Sequence, residues 1–429
     1  MVRLIVALSL VAAPAWGDET GELQRALRGL GDGEDLVLFP QQASGGTLRA
    51  TTRVAATPAA IEAVLTSPTA YREAIPALER AEIVGRRPRG GAGGGAGKGT
   101  TAGEDLLVAW ELEIPLFNLN GKLWVNARPG QVELLLVEGN LAPGRLLFSW
   151  QALDAKTTAL TVEARVNVRT GGWVLRRVAG RSSNAEAAIT AAATWVALRA
   201  TAARAEHPSA TATSMAARRP HALPSPPPPA ALDGASLAAA PLARLRELGG
   251  AVALVRRAPS GRLAAAAVAV TVNLPPTVVA DKVSTPEQWR SFPGWERVTR
   301  LPGRAGAPTV DVDMRDSLPF VDLDTRWRLA TRPAVRAQAI DGGTRGALLG
   351  WDVFPGGATA KNSIAVLAMY PRLEAAGYVP RKFVAAEPLL EHGLALALTY
   401  VNAVSMKAAL EAAAAAPATP SQGSQVPAR

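Results

Sequence analysis

Few side chains in this chain are suited to acid–base or metal chemistry. It contains three histidines and no cysteine. His207 and His221 fall in a proline-rich stretch, and His392 stands alone in an alanine-rich segment. Zinc sites combine several histidine, cysteine or carboxylate ligands, so we expect no metal site and no cofactor. A serine–histidine–aspartate triad has only His392 available, and no Gly-x-Ser-x-Gly turn accompanies it.

Two pairs of carboxylates have the spacing of strand neighbours. Glu111 and Glu113 are two residues apart, as are Asp311 and Asp313. Residues two apart on a strand share a face, and paired carboxylates can act as general acid and base. The alternating positions between them, such as Trp110, are apolar and belong to the opposite face. The sequence therefore predicts solvated carboxylates and no catalytic residue.

Two further patterns have simple structural interpretations. Asp322 and Asp324 lie close to Arg326, which predicts a surface ion pair. The glycine-rich run Gly90–Gly99 resembles a phosphate-binding loop only in composition. Gly97-Lys98 is followed by Gly99 and not by serine or threonine, which such a loop requires. We interpret it as a flexible insert in a hairpin.

The composition indicates a folded chain with weakly basic character. Hydrophobic residues make up 48% of the 429 residues and charged residues 19%, and the formal net charge is +10. The arginines are scattered and not clustered in a stripe, so nucleic acid is not an expected partner. A weak association with an anionic membrane surface is the partner that the charge favours.

The N-terminus is typical of an exported protein. Arg3 precedes the short apolar run Leu4–Ala13, and Ala15-Trp16-Gly17 supplies small residues for cleavage. We therefore predict a signal peptide over residues 1–17 and a periplasmic or secreted protein that is soluble after cleavage.

The second half of the chain repeats the first. Leu27 matches Leu245, 218 positions later, and Ile114 matches Leu318, 204 positions later. The offset shrinks because the glycine-rich insert occurs in the first copy only. Further matches follow in the same order: Ser67-Pro68 with Thr285-Pro286, Tyr71 with Trp289, Pro76 with Pro293, Arg80 with Arg297, and Arg128-Pro129 with Arg332-Pro333.

These features predict a tandem duplication. The expected order is a first domain over 18–205, a proline-rich linker over 206–236, a second domain over 237–411 and a disordered tail over 412–429. In each copy, period-2 alternation predicts a meander of antiparallel strands with one covered face. A long helix closes each copy, at about Ser183–Ala205 and Glu387–Glu411.

The helical phrase before the meander resembles that of a known superfamily. Thr57-Pro58 predicts a helix start, and Ser67-Pro68, Tyr71 and Ile75-Pro76 follow. The second copy has similar phrases at 274–276 and 284–293. This order is similar to the helix-grip domains of the START/SRPBCC superfamily, which includes lipid-transfer and polyketide cyclase-like proteins. The resemblance implies an α+β fold, with two tandem helix-grip domains in which a curved antiparallel sheet wraps a long C-terminal helix.

The resemblance also implies a hydrophobic, lipid-like ligand held between sheet and helix. The apolar side chains expected to line this space are Trp110, Leu123, Phe148, Trp150 and Trp195 in the first copy, and Met314, Trp327, Trp351, Tyr370, Leu394 and Leu398 in the second. A filled core would use the same side chains. Non-catalytic carriage in the bacterial envelope is the favoured function. A cyclase or hydratase, or an interaction module with filled cores, remains open.

Overall fold

The computed structural model describes part of the chain, and the structure below concerns residues 23, 26–40, 47–75, 78–89, 103–114, 117–181, 183–209, 227, 232–239, 242, 250–259, 261–292, 295–303, 307–318, 321–356, 361–372 and 388–415. The predicted signal peptide, the glycine-rich insert and most of the linker and tail lie outside these residues. The tail that was expected from residue 412 begins as helix, which continues to Ala415.

The described part of the first copy contains eight strands and four helices with full bounds, besides a helical stretch at 26–29 and a 3-10 turn at Val168–Thr170. The strands are β1 (Glu34–Phe39), β2 (Leu48–Val54), β3 (Leu78–Pro88), β4 (Glu104–Ile114), β5 (Phe117–Arg128), β6 (Gln131–Gly139), β7 (Leu141–Ala152) and β8 (Thr158–Asn167). The helices are α1 (Pro58–Leu65), α2 (Pro68–Ala74), α3 (Gly172–Arg181) and α4 (Ser183–Glu206).

The second copy has the same order of strands; a 3-10 helix, Pro286–Ser291, takes the place of α2, and no counterpart of α3 lies among the described residues. After the four-residue helix α5 (Ala235–Ala238) come β9 (Ala251–Arg257), β10 (Leu263–Val272), α6 (Pro276–Ser284), β11 (Trp295–Arg300), β12 (Thr309–Leu318), β13 (Val321–Ala330), β14 (Val335–Gly342), β15 (Leu348–Pro355), β16 (Ser363–Tyr370) and α7 (Pro388–Ala415).

Local signals set the helix starts. Thr57 caps α1, where its side chain accepts a hydrogen bond from the amide of Ala60 and Pro58 occupies the first turn. This geometry confirms the expected N-cap, because a hydroxyl there satisfies an amide that has no intrahelical partner. Ile61, Val64 and Leu65 form the buried face of the helix.

The sixteen described strands form one antiparallel sheet. Within each copy the order is β2-β8-β7-β6-β5-β4-β3, or its counterpart β10-β16-β15-β14-β13-β12-β11, with β1 and β9 joining the copies at the centre. We expected a separate sheet for each copy. The single sheet has a physical reason: β1 and β9 are apolar edge strands, and an exposed apolar edge is prone to pairing, so the two edges pair with each other.

The two long helices lie on the same side of this sheet. α4 packs on β2 and β8, α7 packs on β10 and β16, and the helices pack against each other. Gly393 of α7 lies so close to α4 that an added Cβ would be 3.2 Å from Val196. We call the side of the sheet that faces the helices the inner face. By length and composition Glu391–Ala415 could cross a membrane, but half of that stretch is buried as in a core helix.

Candidate functional site

The inner face carries the predicted apolar side chains of the first copy. Cross-strand pairing places Leu123 beside Val108, Phe148 beside Val162, and Trp150 beside Leu160. Paired residues of antiparallel strands point to the same side. Trp195 projects from α4 toward the same region and is fully buried.

These residues form two groups and not one. Phe148 and Trp195 belong to the main core, which runs through both copies. Trp110 packs instead with Leu175 and Ala179 of α3, in a smaller cluster at one end of the inner face. Leu123 is half-buried and contacts both groups. The first-copy residues therefore line one face but do not meet at one point.

The second copy places only part of the predicted set on its inner face. Met314 and Trp327 alternate there with outward side chains, and Trp351 faces the same way through its pairing with Val335 and Leu367. Leu394 and Leu398 lie half-buried on α7. Leu398 is one turn before Asn402, whose amide contacts the sulfur of Met369 on the inner face.

Tyr370 does not join this group. It pairs with Leu348, whereas its neighbour Met369 faces α7, so Tyr370 lies on the outer face. That face is covered too: Gly234 lies against Val366, which shares the side of Tyr370. Strand β16 is buried on both faces and its sequence is apolar almost throughout. It therefore lacks the alternation of apolar and polar residues that would predict which face Tyr370 occupies.

Several inner-face side chains keep accessible surface although they point toward the helices. They share a half-buried state and an inward direction: Leu106, Leu123, Leu146 and Trp150 in the first copy, and Val310, Asp316, Val353 and Met369 in the second. All of them except Asp316 pack against the main core, so each is covered in part by the described residues and keeps the rest of its surface accessible.

Three inner-face tryptophans also present unused hydrogen-bond donors. The indole nitrogens of Trp110, Trp327 and Trp351 are buried and have no acceptor within the described part of the chain. Buried tryptophan N–H groups usually find a partner. These donors are available to a polar atom of a bound molecule.

Asp316 is the one charged side chain that the inner strip of β12 contributes. Val312, Met314 and Asp316 alternate along β12, and Asp316 pairs with Trp295 on one side and Leu323 on the other. Its carboxyl has no hydrogen bond to any described residue. Burial raises its pKa to about 7. The sequence analysis did not select Asp316 as a site residue. It lies two positions after Met314 on the same strand, so the alternation that assigned Met314 to the inner face also assigns Asp316 to it.

The carboxylate pairs considered from the sequence lie on the outer face. Arg326 binds Asp313 at 2.8 Å and Arg328 binds Asp311 at 2.9 Å. These bonds hold the pKa of Asp311 below its usual value. Arg326 was expected to pair with Asp322 or Asp324, which is wrong. The strand register places Arg315, and not Arg326, opposite Asp324, which it binds at 2.6 Å.

A buried polar network joins the two copies. Asp35 of β1, fully buried, accepts hydrogen bonds from Thr52 at 2.5 Å and from the Trp195 indole at 3.1 Å. Its carboxylate forms ion pairs with Arg199 of α4 at 3.8 Å and with Arg257 of β9 at 3.4 Å. The attraction between these opposite charges offsets part of the desolvation cost of burying them. The network fixes the copies relative to one another.

His392 lies beside this network without joining it. Its ring is 5.3 Å from that of Trp195, and neither ring nitrogen has a hydrogen bond to a described residue. Burial, with the nearby charges of Arg257, Arg262 and Arg199, lowers its pKa to about 3. A histidine that is neutral and buried at this position fills space in the core. Within the described residues no group of side chains has the composition of a metal site.

A pocket lies outside the inner face. It has a volume of about 320 Å³ and is formed by alanines of α1 and α2 and by the end of α4. The ion pair between Glu73 and Arg204 lies at its rim. The pocket is open to solvent, and its walls offer little beyond small side chains.

Comparisons with known proteins give likenesses of fold alone. No protein-family model and no curated protein matches the sequence. Among solved structures, the di-domain aromatase/cyclase StfQ of the steffimycin biosynthetic pathway is similar at 11% identity, over 85% of this chain and 97% of its own, with a TM-score of 0.29.

Single-domain structures match one copy. The Zhui aromatase/cyclase from Streptomyces sp. R1128 has 16% identity over 39% of this chain and 98% of its own (TM-score 0.30). A START superfamily protein from Mycobacterium smegmatis has 19% identity over 38% and 100% (TM-score 0.27). Scores this low carry no argument about this chain. By strand order and packing, each copy consists of an antiparallel sheet with a long helix across its inner face, which agrees with the α+β organisation expected from the sequence.

Proposed function

We propose that this protein binds and carries a hydrophobic, lipid-like molecule between its sheet and its long helices, without catalysis, in the bacterial cell envelope. The observation that carries the proposal is the set of inward side chains that keep accessible surface beside unused indole donors. Binding sites for small molecules combine an apolar lining with a few polar groups in this way.

The cyclase or hydratase alternative requires an acid and a base that meet the same substrate. Asp316 is an inward carboxyl, but no second titratable group lies within hydrogen-bond reach of it among the described residues. A single carboxyl can bind a ligand, whereas acid–base catalysis with separate acid and base groups needs a second titratable side chain beside it. The geometry thus favours binding over catalysis.

A weak association with an anionic membrane is part of the proposal. α3 buries Leu175 and Ala179 against the Trp110 end of the inner face. Its other side exposes Trp173 (64% exposed), Arg176 and Arg177. An aromatic side chain beside basic residues suits the surface of an anionic bilayer. The helix that covers the inner face would then be the one that meets the lipid.

Native mass spectrometry of the purified protein tests ligand carriage. We expect extra mass that organic extraction removes, and binding of the neutral fluorescent probe N-phenyl-1-naphthylamine after extraction. Leu123→Trp fills the inner face of the first copy and should remove at least one probe site per chain. Val137→Trp adds the same ring at an exposed position on β6 and should leave binding unchanged. No extra mass together with no probe binding would reject the proposal.

A further inference from the structure

Asp316 distinguishes the inner face of the second copy from that of the first. The repeat aligns Ile114 with Leu318, and the same shift aligns Leu112 with Asp316. An apolar residue in one copy is thus an acid in the other. The two inner faces are built from equivalent strands with equivalent pairing, so this difference concerns the ligand that each can bind and not its fold.

Among the described residues, the strand neighbours of Asp316 include nothing that satisfies a negative charge. On its own strand the inward neighbour is Met314, which is buried. From β11 the facing residue is Trp295, and from β13 it is Leu323. The charged residues of these three strands nearby, Glu296, Arg297, Arg315, Asp322 and Asp324, all lie on the exposed face.

The arrangement is suited to a cation. A carboxylate in an apolar setting attracts positive charge strongly, because little solvent screens it. Trp295 offers an aromatic ring next to it, and indole rings attract cations through their faces. Trp295 is itself held by Trp289 and Phe292, at ring-centre distances of 5.2 and 5.7 Å. Met314 and Leu323 supply contact for a hydrocarbon chain.

We propose that the inner face of the second copy binds an amphiphile with a cationic head, of the alkylammonium class, and that Asp316 pairs with the head while the apolar inner face receives the chain. The inference rests on the proposed function, because it requires that the inner face admit a ligand. It assigns the two copies different ligands: an uncharged apolar one in the first and a cationic one in the second.

Two probes with the same chain separate charge from apolar binding. Decyltrimethylammonium keeps its charge at every pH, and 1-decanol has none. Isothermal titration of the full chain should show that the ammonium probe binds at least ten times more tightly at pH 8.5 than at pH 5.5, because the carboxyl gains its charge in this range. The binding of decanol should not change with pH.

Two variants locate the effect. Asp316→Asn should lower the affinity for the ammonium probe at pH 8.5 at least tenfold and keep the binding of decanol. Asp313→Asn makes the same change on the outer side of the same strand, and should bind both probes like the wild type.

The outcomes discriminate between the inference and its basis. The inference is rejected, and the proposed function stands, if decanol binds but the affinity for the ammonium probe does not depend on pH. The same holds if Asp316→Asn binds the ammonium probe at pH 8.5 as tightly as the wild type. If neither probe binds, both are rejected. The pH dependence of the wild-type protein decides the matter even if Asp316→Asn does not fold.

Discussion

Leu36 of β1 lies directly opposite Leu254 of β9 where the two copies join. The shift of 218 positions that relates Leu27 to Leu245 also relates these two leucines. Equivalent residues that face each other on antiparallel strands define a two-fold axis. The copies are therefore arranged like the subunits of a symmetric dimer, but within one chain.

The symmetry of the backbone is broken by charge. The same shift carries Asp35 onto Ala253, so only one side of the axis has the buried carboxylate. This carboxylate connects three elements that come from both copies: β1, α4 and β9. The polar network around Asp35 is thus an addition that only one side of the axis carries, beside the ion pair of Glu34 and Arg256 that also crosses the joint.

Replacing Asp35 should unfold the joint. Asp35→Ala leaves the buried Arg199 and the half-buried Arg257 without this partner, and removing one member of a buried pair costs about 3–5 kcal/mol. Urea denaturation followed by tryptophan fluorescence measures the change in the free energy of unfolding. Asp32→Ala removes an exposed carboxylate that pairs with Arg53 and should leave the denaturation midpoint unchanged. Equal effects of the two variants would contradict a structural role for the network.

His392 should make the protein sensitive to acid. Its pKa is about 3 in the folded state and 6.5 ordinarily, so between these values the unfolded chain binds a proton that the folded chain does not. Stability is therefore retained above pH 6.5 and falls by about 1.4 kcal/mol per pH unit below it from this residue alone.

The variant His392→Phe keeps a ring beside Trp195 and should lose this slope. Denaturation at a series of pH values from 7 to 4 compares the two proteins. His207→Phe, at an exposed position after α4, should retain the slope of the wild type. A wild-type slope in His392→Phe would show that the acid sensitivity arises elsewhere.

Asp316 should make the protein less stable as the pH rises, whereas His392 makes it less stable as the pH falls. Burial raises its pKa from 3.8 to about 7, so the folded chain keeps a proton that the unfolded chain releases. Its contribution is complete below pH 3.8 and is lost as the pH rises to 7, with a total on the order of 4 kcal/mol at most. Asp316→Asn should therefore be more stable than the wild type at pH 8 and equally stable at pH 3.5. A variant less stable at pH 8 would show that the carboxylate is satisfied in the folded protein.

The elements were predictable where a local signal sets them. The alternation in Glu104–Ile114 predicts β4 with its observed bounds, and the cap at Thr57 places α1. Helix α3 escaped prediction because Gly171 and Gly172 indicate a turn, and only tertiary packing shows that Leu175 and Ala179 have a surface to cover.

The site was predictable in outline only. Alternation assigned Trp110 and Leu123 to the inner face, and it could equally have assigned Asp316. The partners of Asp35 could not be found in this way, because Trp195 and Arg257 are distant in sequence and reach it through the joining of the copies. A buried polar group is defined by its surroundings, which no spacing within one strand reveals.

The exposed side of α3 should bind anionic membranes. Each arginine near an anionic bilayer contributes about 1 kcal/mol, so Arg176→Gln with Arg177→Gln should weaken binding to phosphatidylglycerol vesicles by about tenfold or more. Trp173→Ala should weaken it too, since this residue is 64% exposed beside the two arginines. Co-sedimentation at low salt measures the binding, which higher salt should reduce.

The control removes the same charge from another surface. Arg128 and Arg165 are exposed on the outer face of the sheet, so Arg128→Gln with Arg165→Gln lowers the net charge equally without touching α3. If this double variant weakens vesicle binding as much as the α3 variant, net charge alone attracts the protein to the membrane. If only the α3 variants weaken it, the helix that covers the Trp110 end of the inner face is also the one that meets the bilayer, which places the lipid at the entrance to the proposed binding space.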